Sequence, residues 1–115
     1  MKTIRSPLLA LLAVNAAPAC AAEDYVRQFR MALEELKPPL DTVTLVLNQG
    51  TADAKCWTIR RELPNLYKGM ERLRWSLELA ERSDDAESQA FIRDHVNKTQ
   101  RLISTIAEGN REACR

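Results

Sequence analysis

Eight residues near the C-terminal end, Phe91, Ile92, His95, Val96, Thr99, Leu102, Ile103 and Ile106, recur at intervals of three and four. At about 100° per residue they fall within an arc of about 140°, and Arg93, Asp94, Asn97, Gln100, Arg101, Ser104 and Glu108 fall outside it. An apolar stripe of that kind must be covered by another element, so the question is what else the chain supplies. Leu, Ala, Glu and Arg recur throughout, with three glycines and 5% aromatics, a composition that favours further helices.

Those helices are legible by the same spacing. From Glu23, the positions Tyr25, Val26, Phe29, Ala32, Leu33 and Leu36 repeat at helical intervals, and Glu23 and Asp24 complement the dipole at the start. "KPPL" is expected to stop this helix, because consecutive prolines disfavour helical backbone at Lys37 and Pro38. "LDTVTLVLNQG" places Leu40, Val43 and Leu47 on one side; its β-branched run also suits a strand, but with no partner strand in sight it reads as a short helix ended by Gly50. A helix from about Thr51 to Leu63 carries Ala52, Cys56, Ile59 and Leu63 in one row, and Pro64 begins a new helix or kinks this one. Leu66, Met70, Leu73, Leu77 and Ala80 form the next row. "SDDAES" then offers Ser83 or Asp84 as a cap, with Glu87 three after Asp84, and such a short turn makes its flanking helices antiparallel neighbours. Gly109-Asn110 offers an end to the last helix. The expectation is an all-α fold, a small bundle of four or five helices in a single domain over residues 23–115.

Residues 1–22 read differently. Lys2 and Arg5 precede an apolar run centred on "LLALLAV", and small residues follow before a cleavage point, the three parts of a secretory signal. Two registers of small residues, Ala19-Cys20-Ala21 and Cys20-Ala21-Ala22, place the cut after Ala21 or Ala22, and either one discards Cys20. A lipoprotein acylated at Cys20 is the rival reading, but Ala17 and Pro18 occupy the place where a branched apolar residue is required. The run is too short to span a membrane, which takes about 20 apolar residues, and no transmembrane segment is expected elsewhere. Removing the leader leaves 15 basic against 16 acidic residues, a net charge of about −1, and no global field to recruit nucleic acid or an anionic membrane surface. It also leaves two of the three cysteines, Cys56 and Cys114, in a periplasmic or secreted protein where thiols oxidise. With only two, the pairing is determined, and one disulfide closes the bundle.

Catalytic chemistry is thinly represented. The single histidine, His95, lies in the middle of the apolar arc, the setting of an ordinary core imidazole. The sharper alternative makes it an axial ligand of a haem in the bundle interior, with Met31 or Met70 opposite. No Cys-x-x-Cys-His attachment motif is present, one histidine with two paired cysteines makes a poor zinc site, and no cofactor is called for. The carboxylate pairs at Glu34 and Asp84 have local explanations as a solvated face and a cap, no glycine-rich phosphate loop occurs, and "NKT" at Asn97 sits inside the most regular helix.

One constellation stands out. Opposite the row from Leu66 to Ala80, Trp75 and Leu79 project at about 180° and 220° from Leu66, and Lys68, Arg72 and Arg82 share that face. Arg60, Arg61 and Trp57 extend it across Pro64. A tryptophan ringed by cations suits a protein partner or an anionic ligand, because aromatic and arginine side chains dominate interface energetics; packed on both sides, the same helix would instead bury Trp75 beneath its Lys and Arg stems. The function expected is that of a small exported, non-enzymatic interaction protein of the bacterial envelope, an inhibitor, immunity-type or chaperone-like factor whose partner is another envelope protein. The alternative is a small-ligand or haem carrier.

Overall fold

The structure, a computed structural model, describes the backbone from Cys20 to Arg115 and the side chains from Asp24 onward. The leader expected over residues 1–22, its cleavage point and the Cys20 side chain lie outside what is described. Three helices account for nearly all the rest: α1 Cys20–Gln49, α2 Ala52–Glu81 and α3 Ala86–Ala113. Gly50-Thr51 and residues 82–85 are the only connections, so consecutive helices run antiparallel and form a rod of 56 × 20 × 19 Å with α2 in the middle. No described helix is long and apolar enough to cross a membrane.

Among the described residues the count of four or five helices is corrected to three, because Pro38, Pro39 and Pro64 are all carried inside helices. The stripe of Tyr25, Phe29, Ala32, Leu36 and Val43 keeps its phase straight through Pro38-Pro39, and Pro39 itself is buried. A proline inside a helix costs about 3 kcal/mol, and each fully buried aliphatic side chain returns about 1.5–3 kcal/mol. Ending α1 at Lys37 would abandon the burial of Pro39, Leu40 and Val43, so packing outweighs local propensity. Lys37 and Asp41, 2.9 Å apart, bridge the turn that the prolines weaken. Pro64 is exposed. Although its ring leaves one carbonyl without an amide partner, α2 continues through it. "TVTLVL" is helical, as its lack of a partner strand implied.

The caps differ in detail. Thr51 accepts from the Ala54 amide at 3.2 Å to start α2. Asp85, rather than Ser83 or Asp84, starts α3, accepting from the Ser88 amide at 3.1 Å and the Ser88 hydroxyl at 2.7 Å. Tyr25 donates to the same carboxylate at 3.0 Å, so one cap ties the start of α1 to the α2–α3 turn. Gly109-Asn110 does not end α3, which runs on to Ala113 and delivers Cys114 to Cys56, with Cα atoms 4.9 Å apart. The expected disulfide is therefore formed.

Three residues read as core face outward: Leu33, Leu47 and Leu102 are 38%, 43% and 46% exposed. Helices α1 and α2 approach closely at Gly69, where a Cβ would sit 2.7 Å from Leu36 Cγ and Cδ2.

Candidate functional site

Because α2 packs against α1 on one flank and α3 on the other, its third side faces solvent. Trp57 and Trp75 stand on that side, 62% and 41% exposed. They are 18 residues apart, five whole helical turns, so both indoles point the same way about 27 Å from one another. Each is accompanied by its own arginine: the Arg61 guanidinium lies 4.6 Å from the Trp57 ring and that of Arg82 lies 5.4 Å from Trp75. Stacked so, a cation lies against a ring that remains open to a partner. Lys68 is exposed between them.

Of the five residues expected on this face, the structure keeps three together. Trp75, Lys68 and Arg82 are exposed; Leu79 is half-buried and packs against the core. Arg72 turns away from the face into the α1–α2 seam, where its Nη1 donates to Gln28 Oε1 at 2.8 Å and its Nε lies 3.1 Å from Glu35 Oε2. That Nε is an ion-pair contact without hydrogen-bond alignment, and Glu35 Oε1 accepts nothing within the described residues. At about 240° from Leu66 on the helical wheel, Arg72 lies at the boundary where a long side chain can go either way. The presence of a carboxylate on α1 decides it.

The residues named for a haem lie on separate seams. His95 is half-buried against Phe29 and Phe91, with ring centroids at 5.3 and 4.8 Å, and its Nδ1 is 3.4 Å from the Phe91 carbonyl. Met31 lies beside Arg72, with Sδ 4.0 Å from Nη1. Met70 is buried at the floor of a different groove, between α2 and α3.

That groove, of about 460 Å³, was not legible in the sequence. Tyr67 and Arg74 from α2 and Gln100, Ile103 and Arg111 from α3 line it, and Arg74 Nη2 donates to Gln100 Oε1 at 2.6 Å. A second, of about 310 Å³, lies beside Pro38, Pro39 and Lys68. Both are open at the surface between helices, and which helices face each other is not written in the period of either one.

Among the described residues two groups have displaced pKa values, and both belong to the α3 cap. Burial raises the Tyr25 hydroxyl above its ordinary value, and the neighbouring Asp85 charge adds to the rise. Burial also pushes the Asp85 carboxyl up, but hydrogen bonds from the Ser88 side chain and amide and from Tyr25 outweigh it and hold the group below the ordinary carboxylate value. No group of three or more His, Cys, Asp and Glu side chains converges among the described residues. No family model matches this chain, and no curated protein or solved structure is detectably similar to it.

Proposed function

We propose that this chain is a small exported binding protein of the bacterial envelope, non-enzymatic and of the inhibitor, immunity or chaperone-like kind, that docks another envelope protein on the outer face of α2. The observation that carries the reading is the pair of exposed indoles in phase on one helix, each with an arginine against it. Large apolar rings left largely in water on a small helical rod contribute little to holding it together, and Trp with Arg is the composition of interface hot spots. The leader and the Cys56–Cys114 bridge support export.

The test is capture from an envelope extract by the wild-type protein and by Trp75→Ala, followed by a titration with the purified partner. Part of the Trp75 ring rests on the helix surface, so the substitution should cost about 1 kcal/mol of stability, well below the 3–5 kcal/mol of a buried tryptophan. Loss of the hot spot should weaken binding by about 2 kcal/mol or more, at least a thirtyfold rise in Kd. A captured partner whose Kd is unchanged by both Trp57→Ala and Trp75→Ala rejects this face as its docking site.

A further inference from the structure

We infer that the outer face of α2 also pairs with the same face of a second copy, antiparallel, in a reversible homodimer. The inference rests on the exposed ridge described above and goes beyond the partner reading, since its occupant is the chain itself. From Trp57 to Arg82 the outward positions recur at alternating steps of four and three, the seam spacing of a two-stranded coiled coil, and every one of them is exposed.

Complementarity fixes the direction and the register. About a twofold axis between Lys68 and Glu71, Lys68 meets Glu71 of the second copy, and Arg61 meets its Glu78. In the same register Trp75 meets Pro64 of the second copy and Trp57 meets its Arg82, so two layers are ion pairs, one is aromatic on proline and one is cation on aromatic. Symmetry makes each layer occur twice. A parallel pair would instead set Arg61, Lys68, Glu71, Glu78 and Arg82 each against itself, five like-charge layers. Sliding the antiparallel pair by one heptad breaks both ion pairs and forms a single kind in their place, Lys68 with Glu78 or Arg61 with Glu71. Within one chain, Lys68, Glu71 and Glu78 enter no salt bridge among the described residues, so these charges are available to a second copy.

The size of the contact sets its strength. A strip about 38 Å long and about 10 Å wide covers on the order of 400 Å² per copy, about half of a standard interface. The dimer is therefore weak and sensitive to salt, and is sought at protein concentrations of about 10–500 μM in low-salt buffer.

Charge exchange at the central layer is the test, read by sedimentation equilibrium on the pure, disulfide-bonded protein. Lys68→Glu alone and Glu71→Lys alone each turn two symmetry-related attractions into repulsions, and each should raise the dimer Kd roughly tenfold or more. An equimolar mixture of the two variants should associate again, because in one layer the glutamate introduced at 68 faces the lysine introduced at 71, and in the other the unchanged Lys68 faces the unchanged Glu71. The double variant Lys68→Glu/Glu71→Lys should return to within about threefold of wild type. A wild-type chain that stays monomeric up to 500 μM on the order of that range's limit, single variants that associate as well as wild type, or a mixture and double variant that fail to recover would each overturn the proposal. All these positions are exposed, and circular dichroism of each variant confirms that the fold is kept. Because no other protein is present, failure here leaves the partner reading to its own titration, and a partner bound by the monomeric Lys68→Glu variant would support that reading alone.

Discussion

Gly69 is the position where two opposing effects can be weighed against each other. Replacing it by alanine in the middle of a helix gains about 1 kcal/mol of propensity. The new Cβ would lie 2.7 Å from both Cγ and Cδ2 of Leu36, while ordinary carbon contacts lie at about 3.5–4.0 Å. Leu36 must therefore retreat by about 1 Å, and because Cγ is its branch point, rotating the terminal methyl groups does not clear the clash. Leu36 is 3% exposed and so cannot swing out into solvent, and overpacking of this kind costs about 1–3 kcal/mol. The cost exceeds the gain, and Gly69→Ala should destabilise by about 1 kcal/mol, lowering Tm by about 5 °C for a domain of this size. Urea titrations followed by circular dichroism measure the difference. The decisive control is Leu36→Ala, which removes the clashing atoms: in that background Gly69→Ala should become stabilising by about 1 kcal/mol, the propensity alone. Stabilisation by Gly69→Ala with Leu36 in place would refute the close approach of α1 and α2 at this point.

The bridge from Cys56 to Cys114 closes 58 residues, so Cys56→Ser/Cys114→Ser should lose about 4 kcal/mol in the chain-entropy treatment, read as a shift in the denaturation midpoint; an unchanged midpoint would show that the bridge contributes nothing. Asp85 has a lowered native pKa, so its charge adds stability that is complete above the ordinary carboxylate value of about 4 and is lost as pH falls through the native value. Asp85→Asn, which still caps, should therefore be less stable than wild type at neutral pH, with the difference shrinking as pH drops below about 4. A constant difference from pH 7 to pH 2 would exclude the linkage. Gly109 is helical and a Cβ there meets nothing within 4 Å, so Gly109→Ala should raise stability by about 0.5–1 kcal/mol in the same urea assay, and a loss would contradict the helical course of α3 at this residue.

The all-helical class, the antiparallel turn near residue 84 and the disulfide were legible because each depends on information local to the chain or on the absence of alternatives. A 3.6-residue period over Phe91 to Ile106 admits one element type, and with Cys20 read as part of the leader the two remaining cysteines admit one pairing. The number of helices was not legible, because the cost of Pro38, Pro39 and Pro64 is local while its compensation is not. Burial of Pro39 and Val43 against α2 appears in no single window of sequence. The binding face divides the same way. Its angular position on α2 follows from spacing, which also puts Trp57 in phase with Trp75, but the direction Arg72 takes depends on Glu35 and Gln28, 37 and 44 positions away on another helix. The exposure of Trp75 was likewise open, since a wheel assigns a residue to a side of its helix, and only the placement of α1 and α3 on the other two sides leaves that one to solvent.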